Sequence, residues 1–192
     1  MSLLNDFNLC HRGGGWTSTD LNAQYKVIGD TLYFQSSHEM SDWHYNFRFF
    51  PENYDGVVIC RGFKQMWESL EPYILKERFT KIRGYSEGAV FACLAHRLMR
   101  RAKGFTPETV AFACPQFLWM PSIWDMHDFM GITLYENYND IVTKAPPVWM
   151  GFTNPTHPVT FKTRHKRPRG ENLFTWWSGH SPAQYRLNLR SL

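Results

Sequence analysis

KIRGYSEGAVFACLAHRLMRR, residues 81–101, decides how the rest of the chain is read. It sets Ser86 in a Gly-x-Ser-x-Gly frame, Gly84-Tyr85-Ser86-Glu87-Gly88. The run Phe79 to Arg83 reads as a short strand, and about sixteen residues after the frame read as a helix. A serine on a sharp strand-to-helix turn projects its hydroxyl beyond the sheet edge, within reach of a base. Crowding at such a turn favours glycine two positions before and two after the serine. The helix that follows aims its first N–H groups and positive dipole end at an oxyanion formed nearby. The pentapeptide alone is a loose pattern, and its place between a strand and a small-residue helix gives it weight.

The material around this turn is that of a globular domain. At 192 residues, with 43% hydrophobic and 20% charged side chains, the chain suits one domain over residues 1–192 with a sizeable core. Its 15 Phe, 9 Tyr and 8 Trp are enough to line a pocket as well as fill a core. The formal charge of +4 is largely local, because the run Lys162 to Arg169 holds five of the 21 basic side chains. Such a run reads first as a solvated loop, and no interleaving of aromatic and basic residues points to a nucleic-acid partner. No apolar run reaches membrane-spanning length, so no transmembrane segment is expected. The start, MSLLNDFNLCHRGGG, lacks the basic and apolar regions of a secretory signal. Cys10, Cys60, Cys93 and Cys114 show no metal-ligand spacing, so neither a metal nor another cofactor is expected. Three of them sit in the apolar stretches VVIC, VFACLA and VAFAC, which predicts buried free thiols and a cytoplasmic location. Oligomeric state leaves no signal here.

Periodicity extends the pattern along the chain. Residues 25–28 and 31–34 read as a β-hairpin turning at Gly29-Asp30, and residues 57–60 as a short apolar strand. Phe63, Met66, Trp67, Leu70, Ile74 and Phe79 fall near helical spacing, with Pro72 as a potential kink. Lys103-Gly104 reads as the stop of the helix after Ser86. Residues 109–114, 132–135 and, more weakly, 159–161 read as further strands. Strands alternating with helices predict an α/β fold with a mostly parallel sheet covered on both faces. In such sheets chemistry collects at the carboxyl ends of the strands. Ser37, Ser86, Cys114 and Asp140 follow predicted strand ends and are candidates to share that edge.

A serine hydroxyl needs a histidine to take its proton, and the histidine needs a carboxylate to fix its tautomer. Hydrolases with this elbow place the three in the order Ser, Asp or Glu, His. Downstream of Ser86 the acids are Asp125, Asp128, Glu136, Asp140 and Glu171, and the histidines are His96, His127, His157, His165 and His180. His96 falls inside the elbow helix and suits a structural or surface role. His127 precedes Asp140, and His165 lies among positive charges that oppose accepting a proton. Asp140 follows a strand and precedes Pro146-Pro147, while His180 sits in a loop with Trp176 and Trp177 beside it. On spacing alone, Asp140 equally suits a turn or cap and His180 a surface loop.

Five segments together carry a resemblance over roughly residues 30 to 185. TLYFQSSHEMSDW resembles a strand ending in Phe-Arg-Gly-Thr/Ser, followed by a tryptophan, here Trp43. VVICRGF resembles a segment ending in His-x-Gly-Phe. GYSEGA resembles Gly-His-Ser-Leu-Gly-Gly. YENYNDIVTKAPP is similar to Asn-x-x-Asp-x-Val-Pro-x-x-Pro, and HSPAQY to a histidine with a tyrosine a few residues on. In this order they look like a short, divergent member of the class 3 lipase family of α/β-hydrolases. The resemblance implies Ser86 as nucleophile, Asp140 as triad acid and His180 as base. It also implies the backbone N–H of Glu87 and the backbone or hydroxyl of Ser37 as oxyanion donors. Gln35-Ser36 replaces the Arg-Gly of the family strand, and Tyr85 and Glu87 replace His and Leu beside the nucleophile. The Glu87 carboxylate is expected to point away from the oxyanion.

Trp43, Tyr45, Phe47, Phe49 and Phe50 fall where the family carries its lid, which suggests an aromatic flap beside the alternative of core packing. The stretch Phe117 to Pro121, with Ile123 and Trp124, is a candidate acyl pocket. The resemblance implies a serine esterase or lipase acting on a small-molecule or lipid ester through an acyl-enzyme. Amide, thioester or acyl-transfer chemistry would use the same triad. The alternative is a catalytically idle hydrolase-fold module that contacts an anionic partner through its basic 162–169 loop.

Overall fold

The computed structural model describes residues 2–11, 14–35, 49–162 and 179–191. In chain order the elements begin with helix α1 (Leu3–His11), strands β1 (Thr17–Ser18), β2 (Gln24–Ile28), β3 (Thr31–Phe34), β4 (Pro51–Tyr54) and β5 (Val57–Cys60), and helix α2 (Arg61–Ile74). Strand β6 (Lys81–Tyr85), helix α3 (Glu87–Lys103), β7 (Glu108–Phe112), β8 (Leu118–Trp119), α4 (Ile123–His127) and β9 (Ile132–Asn137) follow. Strands β10 (Phe152–Thr153) and β11 (Val159–Phe161) and helix α5 (Pro182–Leu189) come last.

Among the described residues the main sheet has seven strands in the order β1-β2-β3-β6-β7-β9-β11. From β3 to β11 neighbouring strands run parallel, and β1 and β2 add an antiparallel edge. The expected α/β class and mostly parallel sheet are therefore present. The β2–β3 hairpin turns where the sequence places it, at Gly29, whose φ of 61° costs a residue without Cβ nothing. The left-handed Gly104 ends α3, its N–H bonded to the Arg100 carbonyl. Helix α2 runs two residues past Pro72 and stops at Ile74, so Phe79 is buried in the following loop rather than in the helix.

Residues 57–60 correct the single-sheet expectation. They form β5 of a second, antiparallel sheet ordered β10-β8-β5-β4. A short apolar run announces burial but not its neighbours, and its partner β8 and the next strand, β10, are two residues long, too short for any periodicity.

Helices α2 and α3 cover one face of the main sheet, where Trp67, Leu70, Phe91 and Leu94 pack on Leu32 and Ile82. Helices α1 and α5 cover the other, with Phe7, Tyr185 and Leu189 on Tyr85 and Phe112. Strand β6 serves both layers, since alternate side chains point to opposite faces. Ile82 and Gly84 face α3, while Arg83 and Tyr85 face α1. A buried ion pair, Arg83 Nε to Asp6 Oδ2 at 2.8 Å, pins α1 to this strand. Arg83 also donates to the Glu108 carbonyl at 2.8 Å. All four cysteines are buried and none is in a disulfide. Among the described residues no helix is long and apolar enough to cross a membrane.

Candidate active site

Strand β6 ends at Tyr85 and α3 begins at Glu87, so Ser86 alone makes the turn between them. Its φ of 59° and ψ of −124° lie outside the regions an L-residue favours, a strain of about 1–3 kcal/mol. Two bonds hold it there: Ser86 N–H donates to the Phe112 carbonyl at 2.9 Å, and Ala89 N–H donates to the Ser86 carbonyl at 2.9 Å. Both glycines of the frame are required by close backbone approach. A Cβ on Gly84 would sit 2.0 Å from the Gly88 carbonyl oxygen, and one on Gly88 2.6 Å from that of Phe34. The elbow thus brings the first turn of α3 against the end of β3.

Ser86 Oγ lies 2.8 Å from His180 Nε2. On the far side of the imidazole, Nδ1 lies 2.9 Å from Asp140 Oδ2 and 3.1 Å from Oδ1. A proton on Nδ1, directed at the carboxylate, leaves Nε2 as the acceptor for the serine hydroxyl. Asp140 is fixed in turn by two further donors. Val142 N–H reaches Oδ1 at 2.9 Å, and the Tyr185 hydroxyl reaches Oδ2 at 2.7 Å. Burial, followed by the charge of Asp140, pushes the Tyr185 phenol well above its ordinary range, which keeps it a donor.

Asn137, the last residue of β9, ties the Asp140 loop to the His180 loop. Its backbone N–H donates to the Tyr185 hydroxyl at 3.1 Å, and its side-chain amide donates to the Gly179 carbonyl at 2.6 Å. Asn188 of α5 donates to its Oδ1 at 2.6 Å. A Cβ on Gly179 would meet the Asn139 carbonyl oxygen at 2.4 Å, so the two loops touch backbone to backbone. After His180 the chain enters α5 through Ser181, whose hydroxyl accepts the Gln184 N–H at 3.3 Å. Ser86 and Asp140 are buried, and the His180 side chain is 13% exposed.

Glu87 occupies the first position of α3, where helix N–H groups point outward along the axis, and its side chain is buried. Ser37, Trp43, Tyr45 and Phe47 lie outside the described residues, as does the basic run after Lys162. Phe49 packs against the core and Phe50 is exposed. The competing acids among the described residues have other work: Asp125 caps α4 with Ser122, Asp128 pairs with Arg97, and both Glu136 oxygens meet Lys144 Nζ at 2.7 Å, while Glu171 lies outside the described residues. His96 is structural. Its Nδ1 lies 2.9 Å from Thr109 Oγ1 and its Nε2 donates to the Met130 carbonyl at 3.0 Å. Burial drives its pKa down to about 4.

The residues expected to line an acyl pocket divide between two places. Phe117 and Leu118 belong to the core, whereas Ile123 and Trp124 line a cavity of about 550 Å³ with Met130 and Gly131. Met130 and Gly131 precede β9 and Asp140 follows it, so this cavity opens at the sheet edge opposite Ser86. Residues 113–131 return the chain from the end of β7 to the start of β9, a reversal that an aromatic cluster does not announce. Among the described residues, no group of three or more His, Cys, Asp or Glu is placed to hold a metal.

No protein-family model matches the chain. It is similar to the secreted mono- and diacylglycerol lipase of Malassezia restricta, with 29% identity over 127 residues. The match covers 58% of this chain and 40% of that protein, so the chain spans about two fifths of its curated relative. Among solved structures, a triacylglycerol lipase described as having a serine protease triad at its catalytic centre superposes with a TM-score of 0.64. Identity there is 19%, over 78% of this chain and 66% of that one. The Rhizomucor miehei triacylglyceride lipase follows at a TM-score of 0.61 and 18% identity, over 77% and 65% of the two chains. The fold is that of the fungal lipases. Within this fungal-lipase fold, the departures at Gln35, Tyr85 and Glu87 all concern buried side chains, so each is built into the packing around the serine.

Proposed function

We propose that the chain is a serine hydrolase that cleaves carboxylic esters, acylglycerols among them, through an acyl-enzyme. The observation that carries this is the continuous line Ser86 Oγ, His180 Nε2, His180 Nδ1, Asp140, with heavy-atom spacings of 2.8 and 2.9 Å. In the proposed reaction Ser86 attacks the ester carbonyl while His180 takes its proton. Asp140 holds the imidazole and stabilises its charged form. His180 then protonates the departing alcohol, and water repeats the sequence to free the acid. The Glu87 N–H, at the positive end of α3, and Ser37 are the proposed oxyanion donors. The names of the Malassezia and Rhizomucor relatives support a lipid ester. A cytoplasmic location remains a proposal resting on the buried thiols, whereas the Malassezia protein is named as secreted.

A fluorophosphonate probe and a panel of p-nitrophenyl esters test the reaction. Wild type should label on Ser86 and turn over short esters, and Ser86→Ala should do neither while melting at an unchanged temperature. An unlabelled, inert wild type would sink this proposal and leave the idle module, tested by salt-sensitive binding to anionic vesicles.

A further inference from the structure

Tyr85 stands where the elbow departs from Gly-His-Ser-Leu-Gly, and the proposed reaction gives it no task. Its side chain leaves β6 on the face away from α3 and is almost wholly buried. There the phenol donates a hydrogen bond to the backbone carbonyl oxygen of His180. Its ring also lies along the imidazole of the same residue, with centroids 5.4 Å apart and planes 18° from parallel. The Tyr85 ring is itself held between two helices. Phe7 of α1 meets it edge-on at 5.1 Å and 79°, and Tyr185 of α5 at 5.9 Å and 71°.

A bond from Nδ1 to Asp140 fixes one point of the imidazole and leaves the ring able to rock about that axis. A flat ring stacked on one face blocks the rocking. The bond to the carbonyl oxygen holds the backbone from which the imidazole hangs, directly after Gly179, the residue with least intrinsic restraint. Burial, with the charge of Asp140 next, pushes the phenol above its ordinary range, so the donor is present throughout neutral pH.

We infer that Tyr85 is a positioning residue for His180, its hydroxyl fixing the backbone of the base and its ring fixing the plane of the imidazole. The inference rests on His180 being the base. It makes the elbow do two things, presenting the nucleophile from Ser86 and aligning the proton acceptor from the residue before it. Errors near 1 Å in such alignment cost on the order of a hundredfold in rate.

Two variants separate the contacts, with rates expressed per site titrated by fluorophosphonate. Tyr85→Phe removes only the hydroxyl and should lower kcat about fivefold with KM unchanged. Tyr85→Leu removes the stack as well and should lower kcat about a hundredfold. In parallel, the His180 Nδ1 proton is followed by NMR on protein labelled with ¹⁵N-histidine. Its signal should exchange faster with water in Tyr85→Phe and vanish in Tyr85→Leu. Wild-type kcat per titrated site in Tyr85→Leu, or an unaltered Nδ1 proton in both variants, overturns the inference. Should Tyr85→Leu not fold, the nearly isosteric Tyr85→Phe carries the test. A wild type inert on esters but with a sharp, Tyr85-dependent Nδ1 proton would refute the esterase proposal and leave the positioning role intact.

Discussion

The face of the main sheet under α2 and α3 is held by apolar contacts such as Trp67, Leu70 and Phe91, whereas the face under α1 and α5 is threaded with directional bonds. On the second face Asp6 grips Arg83, Tyr85 reaches the His180 backbone, and Tyr185 orients Asp140. Apolar burial depends on area and is indifferent to small shifts, while a hydrogen bond weakens steeply with misalignment. The difference teaches where each kind of loss should appear. Damage to the first face should show in stability, and damage to the second in the rate of each surviving molecule.

The largest separation is expected from Asp140→Asn. An amide beside Nδ1 favours the imidazole tautomer with its proton on Nε2, which has then no lone pair for Ser86. Ester turnover should fall about 10⁴-fold while the thermal midpoint moves by only a few degrees. Parallel kinetics and melts check this, and a large fall in the midpoint would erase the contrast between the faces. Phe91→Ala is the mirror experiment. Removing a fully buried phenyl from α3 should cost about 3–5 kcal/mol in urea unfolding, with kcat per titrated site unchanged.

A smaller effect sharpens the comparison, because the apolar face also buries His96. Its folded pKa of about 4 lies below the ordinary 6.5, so between these values the unfolded chain binds a proton that the native state refuses. The stability contributed by neutral His96 is complete above pH 6.5 and is lost as the pH falls toward 4, a change of about 2–3 kcal/mol. Urea midpoints across that range should fall more steeply for wild type than for His96→Gln. Parallel slopes would show that His96 is not the group responsible.

Much of this is legible in the sequence. Glycine spacing around Ser86 announces the elbow because an added Cβ at Gly84 or Gly88 would lie only 2.0 or 2.6 Å from a backbone oxygen. The strands read at 109–114 and 132–135, observed as Glu108–Phe112 and Ile132–Asn137, are legible because apolar runs bounded by Gly or Pro have few other uses. Asp140 and His180 were marked by chain order and by the family resemblance, not by composition. Helix α1 escaped notice because its partners, Arg83 and Tyr185, lie far along the sequence and give it meaning only when folded. The second sheet escaped because β8 and β10 have two residues each. Tyr85 was visible only as a departure from a pattern, since stacking on His180 is a contact between residues 95 positions apart.

The contact between Gly179 and Asn139 also orders events in time. In chain order the proposed nucleophile, Ser86, and acid, Asp140, precede the loop that carries the proposed base, His180. A serine without its histidine is scarcely more reactive than an alcohol in water. On the proposed reading the Ser86 hydroxyl is therefore disarmed until residues 179–180 seat against residues 139–140, where a Cβ on Gly179 would clash. On the proposed reading, the closure of one backbone contact would separate an inert chain from a reactive one.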